Sequence, residues 1–229
     1  MNHIMIDLET MATTPDAAIV AIGAVRFDPV HNKIGDTFYA VVNLQSAMDS
    51  GGRVEASTVM WWIGQTDEAR AAIRKADAHG GATLERALDG FSTWAEEKGE
   101  HVGSPLLRVW GNGAAFDLPI LGGAYARLGK SVPWTPWNER CYRTLSKMFI
   151  SVKKPDFKGV KHNAVDDAVN QARHVCDIYA MLAEMGVDLE GTDSRQALTG
   201  VNFLAKKLTY NPSPEGEGSR IVAILEGAV

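Results

Sequence analysis

The chain has 229 residues, of which 45% are hydrophobic and 22% charged, so it can bury a sizeable core as a globular protein. Its formal net charge of −5 argues against a protein that coats nucleic acid with its whole surface. Its two cysteines form no CxxC pair or disulfide framework, which favours a reducing, cytoplasmic setting. We expect neither a secretory signal peptide nor a membrane span, since no run of about 18–20 apolar residues is present.

Strand patterns come first along the chain. Residues 3–8, 18–28 and 36–44 are apolar, β-branched or aromatic runs, and the turn-like residues 29–35 separate the second run from the third. Three consecutive strands of this kind predict an antiparallel meander.

Helical patterns then alternate with one further strand. The predicted helices cover residues 56–64, 66–76, 83–98, 117–128, 141–149 and 164–185, and a buried strand covers residues 106–111. Strands followed by alternating helices and strands imply an α/β fold with a mixed sheet flanked by helices.

The pattern weakens after Gly186. Residues 201–208 resemble a short amphipathic helix, and residues 220–227 could form a final strand. We predict one domain over residues 1–186 and a C-terminal extension of unknown role over residues 187–229.

Basic residues concentrate between Arg127 and Lys161. This segment has nine Lys or Arg residues against two acidic residues, which leaves a local charge of +7. A basic cluster in an acidic protein suits local contact with phosphates, although a solvated basic face explains it equally well.

Acidic residues stand at three places where chemistry is plausible. Asp7 and Glu9 are two residues apart on the first predicted strand, so both carboxylates point to one face. Side by side on an apolar strand, they need a cation as compensation, and oxygen ligands favour Mg²⁺ or Mn²⁺. Asp117 begins a helix after a buried strand and a loop. His162 precedes the adjacent acids Asp166 and Asp167 at the start of the last long helix. Taken singly, each acid near a helix start is explained as well by helix capping or by the helix dipole.

Together these residues resemble a known enzyme family. The segments "DLET" (7–10), "NGAAFD" (112–117) and "HNAVDDA" (162–168) follow the order of motifs in the DEDD superfamily of 3′→5′ exonucleases, in its histidine-containing DEDDh (DnaQ-like) branch. The sequences of residues 17–28, 57–65 and 137–145 are most similar to a bacterial and phage subgroup of exoribonuclease-like and prophage exonucleases. The resemblance covers residues 1 to about 185 and implies an RNase H-like mixed sheet of five strands.

The resemblance also implies a mechanism with two Mg²⁺ or Mn²⁺ ions as cofactors, which lie roughly 3.5–4 Å apart in enzymes of this kind. Asp7 would bridge both ions. Glu9 and Asp167 would complete the site on the side of the attacking water, and Asp117 would serve the leaving-group side. His162 would take the proton of the water, a role that suits imidazole at neutral pH. The H-x4-D spacing of the family selects Asp167 rather than Asp166.

Residues near these motifs are candidates for contact with the substrate. Trp61 and Trp62 are candidates for stacking on unpaired bases, although a core position explains either one slightly better. By resemblance, Met11 and Phe116 lie against the terminal nucleotide. Thr10 and Asn112 are further candidates. Within the basic segment, Arg140, Arg143 and Lys147 are candidates for phosphate contacts. Trp110 is expected in the core.

The implied function is hydrolysis of single-stranded DNA or RNA from a free 3′ end, with release of nucleoside 5′-monophosphates. Two alternatives stay open: a catalytically silent nucleic-acid-binding or assembly module on the same fold, and an RNase H-like endonuclease. Relatives often dimerise, so a homodimer is a further expectation by analogy.

Overall fold

Five β-strands form one mixed sheet. The computed structural model describes residues 1–74, 76, 80–96 and 107–187. The strands are β1 (His3–Thr10), β2 (Ile19–Asp28), β3 (Lys33–Val41), β4 (Arg108–Gly111) and β5 (Glu139–Cys141). Their spatial order is β3-β2-β1-β4-β5. Strands β1, β2 and β3 pair antiparallel, as the meander predicted, while β4 runs parallel to β1 and β5 parallel to β4. The expected mixed five-stranded sheet is confirmed.

Seven α-helices accompany the sheet in the described part of the chain. They are α1 (Leu44–Asp49), α2 (Ala56–Ile63), α3 (Asp67–Arg74), α4 (Leu84–Glu96), α5 (Asp117–Arg127), α6 (Tyr142–Met148) and α7 (Ala164–Glu184). The six helices that the sequence predicts each contain one of α2 to α7. None of the described helices combines the length and the apolar content that a membrane crossing requires.

Two local predictions were wrong, and one strand was missed. The turn over residues 29–35 is shorter than predicted, because β3 already begins at Lys33. The third strand does not continue to residue 44. Instead, the Asn43 side chain accepts a hydrogen bond from the backbone N–H of Ser46 at 2.8 Å and so caps helix α1. The sequence pattern did not predict strand β5, because its three residues are too few to form a pattern. The helix and strand expected at residues 201–208 and 220–227 lie outside the described residues, and the division into a domain over residues 1–186 and a C-terminal extension stays a prediction.

The side chains of β1 alternate between two hydrophobic clusters. Ile4, Ile6 and Leu8 belong to the larger cluster. Met5 belongs to the smaller one, to which α7 contributes Ala168 and other residues. Because alternate side chains of a strand point to opposite faces, Asp7 and Glu9 share the face of Met5, against which α7 packs.

Helix α7 begins directly against the sheet because a glycine stands in the neighbouring strand. Gly23 of β2 lies opposite Asp7 in the register of β1 and β2. A Cβ atom at Gly23 would lie only 2.1 Å from the backbone carbonyl carbon of Ala164, the first residue of α7. Any larger residue would therefore push the start of α7 away from the sheet. Gly23 thus allows the acids at the start of α7 to approach Asp7.

Candidate active site

Three carboxylates meet where β1 and α7 cross. Asp7 and Glu9 come from β1, and Asp167 comes from the first turn of α7. One carboxylate oxygen of each lies within 4.8 Å of the others. We call these three residues the acidic centre. A group of oxygen atoms this close together, on buried and half-buried side chains, is suited to a hard divalent cation.

Asp117, the fourth predicted metal ligand, is not among these three clustered carboxylates and is 1% exposed. Its Oδ1 accepts a hydrogen bond from the backbone N–H of Leu8 at 3.1 Å, and its Oδ2 accepts one from that of Asn112 at 2.6 Å. The carboxylate therefore joins β1 to the loop after β4 rather than capping only its own helix. Burial raises the pKa of Asp117 to about 6, although these N–H groups and the Arg143 guanidinium favour its charged form.

Burial raises the pKa values of all three carboxylates in the acidic centre. Burial, followed by the charges of Asp117, Glu9 and Asp167, raises the pKa of Asp7 well above its ordinary range. Burial and the neighbouring aspartates raise the pKa of Glu9 to about 8. Burial also raises the pKa of Asp167.

One carboxylate oxygen of Glu9 is buried without a hydrogen-bond partner among the described residues. This atom is Oε1, and Glu9 as a whole is 6% exposed. A buried acceptor without a partner costs roughly 1–3 kcal/mol, and a charged one costs more. The chemistry of the donors and this orphaned oxygen both fit bound divalent ions.

His162 stands at the edge of the same centre in an uncommon backbone conformation, with φ of 62°. Its backbone N–H donates to Oδ2 of Asp167 at 2.7 Å. Its ring meets the ring of Trp61 edge-on, with 5.1 Å between the centroids. Left-handed backbone costs energy for a non-glycine residue, and the Asp167 bond helps to hold it here.

A cavity of about 550 Å³ opens over these groups. Its lining includes Asp7, Glu9, His162 and Asp167 together with six of the candidate substrate contacts, namely Thr10, Trp61, Trp62, Asn112, Phe116 and Arg143. The volume is in the range of small-molecule ligand sites and is large enough for one nucleotide.

Trp61 and Trp62 form one side of this cavity. We call these two residues the aromatic wall. Trp61 is 45% exposed, whereas Trp62 is 3% exposed and its indole N–H donates to the backbone oxygen of Thr10 at 3.0 Å. Two successive helical residues point about 100° apart, so only Trp61 presents a large free ring surface. Trp110 is buried, and its indole N–H donates to the ring of His3, as expected of a core residue.

Two predicted substrate contacts lie elsewhere. Met11 is 7% exposed, belongs to the larger hydrophobic cluster and does not line the cavity. Arg140 does not line it either, because its guanidinium donates to the backbone oxygens of Trp137 and Glu139. Met11 follows the register shift between Glu9 and Thr10 and the end of β1, so its side chain does not continue the face of Asp7 and Glu9. Local hydrogen bonds direct the Arg140 side chain away from the cavity.

Gln171 is a site residue that the sequence reasoning missed. Its Nε2 donates to Oδ1 of Asp7 at 2.7 Å, and it lines the cavity. Gln171 follows Asp167 by four residues in α7, a spacing that places both side chains on one helix face. That spacing was the available signal. Ser57 and Thr58, one turn before the aromatic wall, also line the cavity and were missed.

The structure separates the two adjacent acids of α7. Asp167 faces the acidic centre. Asp166 turns to the preceding loop, where its Oδ2 accepts a hydrogen bond from the backbone N–H of Val160 at 2.9 Å. The helical pattern alone placed both acids at the border of the apolar stripe and did not distinguish them.

Known proteins with similar sequences are nucleases. The family description "3′-5′ exoribonuclease Rv2179c-like domain" matches residues 2–179. A protein of Enterobacteria phage T4, named exodeoxyribonuclease, is 26% identical over 218 residues, which covers 82% of this chain and 92% of the phage protein.

Two solved structures share the fold. The nuclease domain of 3′hExo, described as a DEDDh family member bound to rAMP, has a TM-score of 0.52 at 17% identity over 80% of this chain and 92% of that chain. An exonuclease I structure without ligand has a TM-score of 0.52 at 12% identity over 81% of this chain and 45% of that chain. The match to the family description spans more than half of the sequence. The chain therefore belongs to the Rv2179c-like 3′→5′ exoribonuclease domain family.

Proposed function

We propose that the protein is a divalent-metal-dependent 3′→5′ exonuclease that removes nucleotides from free 3′ ends of single-stranded RNA or DNA and releases nucleoside 5′-monophosphates. One observation carries the proposal: three carboxylates converge within 4.8 Å beside His162, in an open cavity, with an unpartnered buried oxygen on Glu9. Oxygen-only donors favour Mg²⁺ or Mn²⁺ over zinc.

Asp7, Glu9 and Asp167 would hold the metal, and Asp117 would support them. Two bound Mg²⁺ or Mn²⁺ ions supply an acidified water, charge relief at phosphorus and stabilisation of the leaving 3′-oxygen. Asp117 keeps β1 and the loop after β4 in fixed register through its two backbone hydrogen bonds. Gln171 orients the Asp7 carboxylate through its 2.7 Å hydrogen bond.

His162 accepts the proton of the attacking water. The new bond forms between that water oxygen and phosphorus, and the bond between phosphorus and the 3′-oxygen of the penultimate nucleotide breaks. Within the described residues, aromatic contacts with Trp61 and Trp62 hold the imidazole, and no ring hydrogen bond to another residue occupies its nitrogens. Its base function is therefore available to a water molecule in the cavity.

The terminal nucleotide lies between the acidic centre and the aromatic wall. The open face of Trp61 is suited to stacking on an unpaired base, and Phe116 lines the same cavity. The family description names exoribonucleases, while the phage relative is named an exodeoxyribonuclease, so both sugars belong to the proposed substrate class. The similar proteins do not support the expected homodimer.

The experiment is a time course on 5′-labelled single strands and duplexes of RNA and DNA, with Mg²⁺, Mn²⁺ or EDTA. We expect a ladder that shortens from the 3′ end only when a divalent ion is present, together with nucleoside 5′-monophosphates. A 3′-phosphorylated strand and a circular strand should resist. Cleavage of the circle would favour the endonuclease alternative, and inactivity on every substrate would favour the silent module.

A further inference from the structure

A second cavity, of about 420 Å³, adjoins the active-site cavity. Four basic residues line it, Arg143, Lys147, Lys153 and Lys154, and we call it the basic groove. We propose that the basic groove binds the phosphodiester backbone of the substrate strand on the 5′ side of the scissile bond. The proposal rests on the exonuclease function proposed above and adds the path that the substrate strand takes across the protein.

The two cavities have opposite charge. Three carboxylates line the active-site cavity, whereas no acidic side chain lines the basic groove. Lys147, Lys153 and Lys154 are exposed, and none of them forms an ion pair with another described residue. Positive charge that the protein itself does not neutralise attracts a polyanion, and single-stranded nucleic acid is the polyanion that an exonuclease meets.

The basic groove and the active-site cavity are continuous. Asn112 and Arg143 line both. The Arg143 guanidinium donates to the backbone oxygen of Asn112 at 2.8 Å, which fixes a positive charge at their border. A strand whose scissile phosphate lies at the acidic centre must continue away from the terminal nucleotide. The aromatic wall closes one side of the cavity, and the border at Arg143 leads to the basic groove.

A third cavity, of about 320 Å³, extends the same basic surface. It shares Asn112, Tyr142 and Lys154 with the basic groove, and it shares Asp167 and Gln171 with the active-site cavity. The three cavities therefore form a continuous path from the acidic centre to the lysines.

A buried histidine holds the wall of the basic groove in place. His174 of α7 is 2% exposed, and its Nε2 lies 3.0 Å from the backbone oxygen of Val152. Because a carbonyl only accepts, Nε2 donates, and Nδ1 accepts from the Tyr142 hydroxyl at 2.9 Å. The Lys154 ammonium lies 5.7 Å from the centroid of the Tyr142 ring. The segment that carries the lysines is thus tied to α6 and α7, so the groove is formed before substrate arrives.

The test compares two double variants of the full chain with equal loss of charge. Lys147→Gln/Lys153→Gln removes two charges from the basic groove, and Lys33→Gln/Arg86→Gln removes two exposed charges elsewhere. Binding of 5′-fluorescent single strands of two and eight nucleotides is measured by anisotropy in EDTA, so that metal-dependent turnover does not interfere.

We expect wild type and the control pair to bind the eight-nucleotide strand more tightly than the dinucleotide. The groove variant should bind the long strand about tenfold more weakly near 0.1 M salt and the dinucleotide almost as wild type does. Its log–log salt slope should fall by about 1.4, since each phosphate contact to a single strand contributes about 0.7.

Equal weakening for both lengths, or equal weakening by the control pair, would overturn the proposal. The proposal would also be overturned if a nucleoside 5′-monophosphate inhibited the groove variant more weakly than wild type while strand length had no effect on binding. The groove would then bind the product and not the strand. If binding depends on length and on the lysines while no strand is hydrolysed with Mg²⁺ or Mn²⁺, the proposed function fails and the groove stands. If hydrolysis proceeds and the lysines have no effect, the groove alone fails.

Discussion

The acidic centre and the aromatic wall face the same cavity but are built in different ways. The acidic centre joins β1 to α7. The hydrogen bond between Asp7 of β1 and Gln171 of α7 connects residues 164 positions apart in the sequence. The aromatic wall consists of two successive residues of α2, one 45% and the other 3% exposed. The first arrangement is fixed by the fold, whereas the second offers one open surface supported by one buried ring.

We propose that this difference separates catalysis from substrate binding. Groups that take part in bond breaking must be held in place, and the strand register, Gly23 and the Asp117 hydrogen bonds hold them. A stacking surface tolerates variation in the base, so one exposed ring is sufficient. Changes in the acidic centre should therefore affect turnover, and changes in the wall should affect substrate binding.

The largest expected effect comes from Asp7→Asn. It should abolish turnover, a loss of at least about 10³-fold, because metal-borne stabilisation of the transition state is worth several kcal/mol. The fold should persist, because the change also relieves repulsion among buried carboxylates. Steady-state kinetics and thermal unfolding check both points, with the exposed Asp49→Asn as control. Hydrolysis retained by purified Asp7→Asn protein would end the metal proposal.

The next effect comes from His162→Ala, which should lower kcat by about 10²- to 10⁴-fold, the usual contribution of a general base. KM should change less, since Trp61 and Phe116 remain in the cavity. The matched control is His31→Ala, which removes an exposed histidine from the loop after β2. A His162→Ala variant with wild-type kcat across pH 6–9 would remove this residue from the mechanism.

Most of the fold was predictable because its long elements carry clear periodicity. Helix α7 and strands β1 and β2 bury many apolar side chains, and burial creates the pattern that a sequence displays. Strand β5 has three residues, two of them charged, so its place depends on pairing with β4 rather than on its own composition. Only tertiary contact identifies such a strand.

The candidate site was predictable where residue spacing carries meaning. Asp7 and Glu9 share a strand face, and the family spacing from His162 selects the acid that the structure turns toward them. Gln171 was missed because a glutamine on a helix has many ordinary explanations. Met11 was misplaced because the alternation of β1 breaks at the register shift between Glu9 and Thr10, so its side chain packs into the larger hydrophobic cluster instead of facing the site.

The two tryptophans should differ in what their removal changes, KM for Trp61 and stability for Trp62. Trp61→Ala should raise KM by about 5- to 150-fold, which corresponds to about 1–3 kcal/mol of lost stacking, with little change in thermal stability. Trp62→Ala should instead lower the free energy of unfolding by about 3–5 kcal/mol, because its ring is buried and bonded to Thr10. Kinetics and denaturant unfolding of both variants test this division. Equal effects on KM would mean that the wall acts as one surface.

The pH dependence of stability tests the raised pKa values in the acidic centre. Glu9 binds its proton more tightly in the folded protein, where its pKa is about 8 rather than 4.5. Without divalent ions, its contribution to stability is therefore complete below pH 4.5 and is lost as the pH rises toward 8. Glu9→Gln should avoid this loss and be about 1–3 kcal/mol more stable than wild type at pH 8.

Divalent ions should reverse that difference. Mn²⁺ or Mg²⁺ should raise the unfolding temperature of wild type more at pH 8 than at pH 5, because metal binds the deprotonated carboxylates. The Glu9→Gln variant should respond less. Thermal unfolding with each ion and with EDTA gives the comparison. A wild-type protein that becomes more stable between pH 5 and 8 in EDTA would contradict the pKa assignment.

The smallest expected effect comes from Asp166→Asn, next to the acidic centre but outside it. Asp166 binds the Val160 N–H, and its carboxylate packs against Gly159, whose φ is 102°. Asparagine keeps an oxygen acceptor for Val160 but loses a negative charge in the first turn of α7, which is worth about 0.3–1 kcal/mol.

We therefore expect a small loss of stability from Asp166→Asn and a change in kcat of a few-fold at most, because the loop it holds leads to His162. Asp167→Asn is the matched variant at the next position and should resemble Asp7→Asn. Kinetics of the pair decide between the neighbouring acids: if Asp166→Asn is inactive while Asp167→Asn keeps its turnover, the metal ligand of α7 is Asp166 and the loop contact is incidental.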